Sequence, residues 1–180
     1  MMALSQFRPD LAKAMNADFG DYVEMYGGLD YKGAVVLDIG ADHGSTAAFF
    51  LGRGAAHVFA SEINPHMRER LALWAKEKPV TVVEALSQGN AAAMLAVVVP
   101  DVVKVDCEGC EWILQTLPDE VLALPRGWVM ETHTDAGYSS FIALFDRLGY
   151  RVTTVCDWGP VPNKSGKTCR VIQATKGREG

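Results

Sequence analysis

The sequence predicts a three-layer α/β sandwich built on a seven-stranded, mostly parallel sheet that ends in an antiparallel hairpin. Three observations predict it. Short continuous apolar runs end at Gly, Asp or Glu, as buried parallel strands do; helical stripes fall between them; and two final β-rich runs face each other across a polar, Pro/Gly-rich stretch.

The elements follow in chain order. Phe19, Tyr22, Val23 and Tyr26 form an apolar helical stripe that Gly27-Gly28 stops. Ala34–Ile39 is the first strand, and Ser45–Leu51 a short helix closed by Gly52. After the second strand, His57–Glu62, Asn64 caps a helix with Pro65 in its first turn, placing Met67, Leu71, Trp74 and Ala75 on one face. Val80–Glu84 is the third strand. Gln88–Val99 is rich in Ala but ends in three valines, and is read as a helix. Asp101–Asp106 and Trp128–His133 are strands four and five. Phe141, Leu144, Phe145 and Leu148 then repeat a helical stripe before Gly149. Tyr150–Val155 and Cys169–Thr175 make the hairpin. Five β-then-α steps require right-handed crossovers with helices on both faces of the sheet. Residues 1–180 are one domain: 1–32 a helical cap expected to cover the ligand side, 33–180 the core.

Composition narrows the function. The 180 residues are 49% hydrophobic and 22% charged, with 17 Lys+Arg against 22 Asp+Glu and a net charge of -5. That balance argues against binding nucleic acid through its backbone charge. The longest apolar run, Ala91–Val99, is far short of the ~20 residues of a membrane span, and the N-terminus lacks the apolar core of a signal peptide. Four cysteines without an export signal imply a cytoplasmic protein with mostly reduced thiols.

In such sheets the ligand site lies at the carboxyl ends of the strands, near the reversal of strand order. Acids gather there: Asp38 and Asp42 after strand one, Glu62 after strand two, Glu84 after strand three, Asp106 and Glu108 after strand four, and Glu131 before His133 on strand five. Starting from Gly40, only one glycine of a dinucleotide Gly-x-Gly-x-x-Gly is present, and Asp38 and Asp42 would repel a diphosphate. The loop suits a cation. S-adenosylmethionine carries a sulfonium and an ammonium and no phosphate. Gly40 and Gly44 would let the backbone approach it, and Glu62, 18 residues after Gly44, would accept its ribose hydroxyls. A cap on the following helix is the structural alternative for Asp38, and a solvated strand end that for Glu62.

Asp38-x-Gly40-x-x-x-Gly44 followed by Glu62 resembles the first two motifs of class I S-adenosylmethionine-dependent methyltransferases, which have a Rossmann-like fold. Asp38-Ile-Gly40-Ala41, Glu62-Ile-Asn64-Pro65 and Val103-Lys-Val-Asp106-Cys-Glu108-Gly109-Cys-Glu111 resemble the FkbM-type members, as does the acid-containing fifth strand, Met130–His133. The resemblance spans Val35 to Tyr150. It departs at Asp42-His43, where the family more often has Asn and an apolar residue, and in the absence of a substrate-binding insertion. It implies O-methylation of a small-molecule or saccharide-type hydroxyl. Asp38, Gly40, Ala41, His43, Gly44, Glu62, Ile63 and Asp106 are expected to hold S-adenosylmethionine, with Ala85, Leu86 and Ser87 at its adenine.

The acceptor proton needs a base, for which Asp106 and Glu108 come first, then His133 and His43; for His133 the alternative is a strand-end histidine satisfied by backbone. No metal is assigned, the weighed alternative being Mg²⁺ on Asp106, Glu108 and Glu131. Cys107-x-x-Cys110 reads as small residues at a strand-to-helix turn rather than a redox or zinc motif. Gly166-Lys167-Thr168 fails as a phosphate loop, because Val161 stands where Gly is required. Lys164, Lys167 and Arg170 read as a solvated hairpin tip or as contacts to an acidic acceptor, and Trp158, beside Pro160 and Pro162, as a substrate contact or an edge cover. The competing function class is a non-catalytic module that binds S-adenosylmethionine or a partner protein; turnover separates the two.

Overall fold

The computed structural model describes residues 21–160 and 168–177. Phe19, Lys164, Lys167, Pro162 and the Gly166 stretch lie outside the described residues. Seven strands form one sheet: β1 (Val35–Ile39), β2 (His57–Ser61), β3 (Val80–Val83), β4 (Val102–Val105), β5 (Gly127–Thr132), β6 (Arg151–Pro160) and β7 (Thr168–Thr175). Their spatial order is β3-β2-β1-β4-β5-β7-β6. The pairs among β1 to β5 are parallel, whereas β7 runs antiparallel to both β5 and β6. The sheet is the one expected from the sequence, with longer hairpin arms and register shifts in β6.

Among the described residues the helices are α1 (21–26), α2 (Ser45–Gly52), α3 (Pro65–Ala75), α4 (Ala91–Val98), α5 (Asp119–Leu122) and α6 (Asp135–Arg147). Asn64 caps α3 as expected, its side chain accepting from the amides of His66 and Met67, with Pro65 in the first turn. α4 begins three residues later than the composition suggested. Asn90 holds the preceding turn by accepting from the Ser87 amide and donating to the Ala85 carbonyl. After β4 there is no full helix: a 3₁₀ segment, Cys110–Thr116, ends before Pro118 and leads into the single turn of α5.

Strand alternation sorts the core into two layers. Val36, Val102 and Val129 face α1, α2 and α3, meeting Tyr26, Phe49, Phe50 and Leu71. Leu37, Val103, Val105, Trp128 and Met130 face the other way, onto Leu95, Leu114, Phe141 and Phe145. Among the described residues no helix is long and apolar enough to cross a membrane.

The strand order reverses between β1 and β4, and there the chain is at its tightest. Gly40 has φ +78°, and a Cβ at that position would lie 1.7 Å from the Asp106 carbonyl oxygen. Gly44 has φ +104°, and its Cβ would meet Trp74 at 2.8 Å and Leu71 at 3.1 Å. The protein's own packing therefore demands both glycines. The Asp106 amide donates to the Ile39 carbonyl at 3.0 Å, so β1 and β4 leave the sheet side by side. A Gly40→Ala chain is expected to lose at least ~3 kcal/mol, because overpacking and left-handed strain act together. Gly52→Ala, where the added Cβ has open space, is expected to be neutral or to stabilise by up to about 1 kcal/mol. Urea unfolding of the two variants measures the contrast.

Candidate functional site

The candidate site lies beyond the carboxyl ends of β1, β2, β4 and β5, where open α/β sheets form their ligand crevice. Its floor is an ion pair. Lys104, 1% exposed, sits among valines of β4 and places Nζ 3.2 Å from Asp38 Oδ1 and 3.9 Å from Asp106 Oδ2. It also donates to the carbonyls of Gly40 (2.6 Å) and Ile39 (3.3 Å). Burial alone pulls an ammonium pKa down, but Asp38 and then Asp106 hold that of Lys104 above its ordinary value, so it stays charged. Sequence reasoning quoted Lys104 without giving it a role. The signal was a lone lysine in a strand that is otherwise all valine.

Asp38 belongs to this floor. It is fully buried, Thr46 donates to its Oδ2 at 2.5 Å, and Lys104 faces its other oxygen. Its carboxylate turns inward and ties β1 to α2 through the Thr46 hydroxyl, without capping an α2 amide. Ala41 is likewise buried, its amide on the Ser61 carbonyl and its own carbonyl taking the Gly44 amide. Glu62 lies at the rim with two amides on its carboxylate: Asp42 donates to Oε2 at 2.9 Å and Asn64 to Oε1 at 2.6 Å. A carboxylate has about four lone-pair sites, so one per oxygen is left to accept from a ligand. His43 pairs through Nδ1 with Asp42, and this hydrogen bond holds the Asp42 carboxyl below its usual range.

Ile63 is 76% exposed. Ser61, which sequence reasoning missed, donates to the Glu84 carbonyl and accepts from the Leu86 amide, seating Ala85 and Leu86 beside the crevice. From α1, Tyr22 shares a hydrogen bond with Ser45 at the head of α2.

On the opposite side, strands four and five bring their acids around one imidazole. His133 Nδ1 lies 3.4 Å from Glu111 Oε1; Nε2 lies 3.5 Å from Glu131 Oε1 and 3.8 Å from Glu108 Oε1. Hydrogen bonds that the ring donates to Glu111 and then Glu131 raise its pKa to about 10, so at neutral pH it is an imidazolium. That charge state corrects its expected role: a protonated ring cannot accept an acceptor's proton. His133 is satisfied by carboxylates rather than by backbone. Burial pushes Asp106 up to about 6, against the opposing pull of Lys104, leaving it ionised and basic near neutral pH. Glu108 stands at φ +53° on the exposed side of the turn. Glu111, 3% exposed, has its other oxygen on the Gly109 amide at 2.7 Å. Burial lifts the Glu111 carboxyl, yet these hydrogen bonds leave it below its ordinary range.

Two expectations are corrected nearby. Cys107 and Cys110 form a disulfide, their Cα atoms brought to 5.5 Å by the positive φ of Glu108 and Gly109, so these thiols are not free. Among the described residues Cys156 and Cys169 are free thiols. Arg170 is not available to an acidic acceptor. It pairs with Asp135 at 2.5 Å and Asp157 at 2.9 Å and lies over the Tyr138 ring. Trp158, in β6, is 52% exposed.

Over 114 residues the chain is 31% identical to Uncharacterized protein 65 of Sulfolobus islandicus filamentous virus, covering 63% of this chain and 68% of the viral protein. This chain belongs to that protein's family. No family model matches it. Among solved structures, precorrin-6y C5,15-methyltransferase of Geobacter metallireducens aligns with this chain: TM-score 0.64, 20% identity, 90% of this chain and 88% of that one. A Streptococcus pneumoniae protein solved in complex with S-adenosyl-L-methionine aligns with TM-score 0.62 and 15% identity, over 89% of this chain and 74% of that one. These likenesses establish the Rossmann-like methyltransferase fold.

The imidazolium makes stability depend on pH. The His133 pKa is raised on folding, so its contribution is complete below pH about 6.5 and is lost as pH rises through about 10. In EDTA-containing buffer, the melting temperature is expected to fall by several degrees between pH 7 and pH 10, and to fall less in His133→Gln. Calorimetry at matched ionic strength reads the difference.

Proposed function

We propose that this chain is an S-adenosylmethionine-dependent methyltransferase acting on a hydroxyl oxygen of a small-molecule or saccharide-type acceptor. The observation that carries the reading is the placement of acids on two sides of the strand-order reversal. On one side stands Glu62, its carboxylate oriented by two amides; on the other stand Asp106 and Glu108 at the end of β4. The donor set fits this cofactor. The acids around the crevice suit a sulfonium and an ammonium and oppose a diphosphate. The FkbM-type assignment rests on the motif residues from Asp38 to Glu111.

Glu62 would take the ribose hydroxyls, Ala85 and Leu86 would flank the adenine, and the Gly40–Gly44 backbone and His43 would line the donor side. The described part of α1, through Tyr22, would close over that end. When bound, S-adenosylmethionine supplies a methyl group on a positively charged sulfur. Asp106 accepts the acceptor's hydroxyl proton, because burial has brought its pKa near the working pH. The imidazolium of His133 keeps Glu131 and Glu111 ionised and in place. The crevice walls align the acceptor and exclude water. The net negative charge supports an acceptor other than nucleic acid.

Calorimetric titration of S-adenosylmethionine, with NAD as control, tests the donor. Wild type is expected to bind with micromolar affinity and NAD not at all. Glu62→Ala is expected to weaken binding at least about tenfold, since hydrogen bonds to a charged group contribute ~1.5–3 kcal/mol. Equal binding by both proteins, or none, would remove the reading. An acceptor screen detecting S-adenosylhomocysteine then separates an enzyme from a module that binds without turnover.

With an acceptor in hand, kcat/KM is expected to rise with pH around a midpoint near 6, as Asp106 ionises. Asp106→Asn is expected to abolish that limb and cost about 10²-fold or more in kcat. Rate–pH profiles of the two proteins are the check.

A further inference from the structure

Asp106, Glu131 and His133 each offer one ligand-capable atom, and these atoms lie within 4.8 Å of one another. They stand on or just beyond neighbouring parallel strands, paired from Val102–Gly127 to Val105–Met130, so their spacing is set by the sheet. The set is mixed, two carboxylates and an imidazole, and the imidazole is aimed. Buried Glu111 holds Nδ1, and its second oxygen is fixed by the Gly109 amide. That leaves Nε2 directed at Glu131. Metal-ligating histidines are oriented in this way, by a carboxylate on the ring nitrogen that does not bind the ion. Charge points the same way: five carboxylates, on Asp38, Asp106, Glu108, Glu111 and Glu131, surround the two cationic groups Lys104 and His133.

We propose that Asp106, Glu131 and His133 bind one divalent first-row transition ion of the manganese-to-zinc class. One oxygen from each carboxylate and Nε2 of His133 are the ligands, with the remaining positions open to the crevice. An imidazole among two carboxylates favours this class over Mg²⁺ and Ca²⁺, which take all-oxygen sets. The ion replaces the proton on Nε2: the N–H bond breaks, the metal–nitrogen bond forms, and the proton leaves to solvent. Glu108, 61% exposed and 3.8 Å from Nε2, stands at the outer edge, so His133 takes the place that a Mg²⁺ set would give to Glu108. The site stands without the methyltransferase reading. Only its use rests on that reading, where an open position would receive the acceptor hydroxyl and lower its pKa.

The test uses the full chain, stripped with EDTA and titrated calorimetrically with Mn²⁺ and with Zn²⁺, no S-adenosylmethionine being present. One saturable ion per chain is expected, with Mg²⁺ binding more weakly. His133→Gln and Glu131→Gln are each expected to weaken it at least about tenfold, and Asp119→Asn, on the exposed Arg147 pair, to leave it unchanged. Absence of saturable binding in wild type, or equal affinity in all variants, overturns the site. If circular dichroism shows the two ligand variants unfolded, wild type alone decides. Substoichiometric Mn²⁺ is expected to broaden the ring resonances of His133 while those of His57 and His66 stay sharp. Uniform broadening, or none, overturns the proposal. Because no donor is present, loss of this site and loss of donor binding are separate results.

Discussion

The buried pair of Lys104 and Asp38 holds the architecture of the site together. Both residues sit where the strand order reverses, on the paired strands β1 and β4. An ammonium taken wholly out of water is tolerable only against a close counter-charge and hydrogen bonds. Lys104 has Asp38 and the carbonyls of Ile39 and Gly40. Those contacts join the end of β1 to the middle of β4 and fix the level at which the Gly40 loop departs. Asp38 in turn holds Thr46, so the same pair sets the head of α2.

Close packing at this point explains residues that first read as ligand contacts. Gly40 is a glycine because the Asp106 carbonyl fills the place of its Cβ, and Gly44 because Trp74 and Leu71 do. A motif of two glycines and an acid is thus already required by the fold before any ligand arrives. What remains for a ligand is the rim: the second lone pairs of Glu62, the backbone around Ala85 and Leu86, and the acids at the ends of β4 and β5. The two sides of the rim differ in kind. The Glu62 side is built from backbone amides, whereas the His133 side is a charge network whose members set one another's protonation.

Much of this was legible along the chain. The strands were visible because a parallel strand buried on both faces must be apolar throughout, and the first four runs ended in Gly or an acid, with Glu131 two residues before the end of the fifth. The cap at Asn64 and the stripe from Phe141 to Leu148 are local patterns, governed by hydrogen bonds and side-chain spacing within a few residues. The segment after β4 was less legible. There Glu108 and Gly109 turn left-handed, the Cys107–Cys110 disulfide closes the turn, and a 3₁₀ segment replaces a helix.

By itself the sequence determined the order of strands and helices, the burial of each strand and the gathering of acids at one end of the sheet, because these follow from local periodicity and from the rules of parallel crossovers. Only the tertiary structure decided which acids face inward and which face the crevice. Asp38 and Asp106 look alike in sequence, each an acid near the end of an apolar strand. Asp38 lies beneath Lys104 and Thr46, fully buried, while Asp106 keeps 31% of its side chain exposed. His133 carries no local sign of its charge state, which comes from carboxylates 2, 22 and 25 positions away in the chain. Protonation depends on distance and burial in three dimensions, and those are set by the folded sheet.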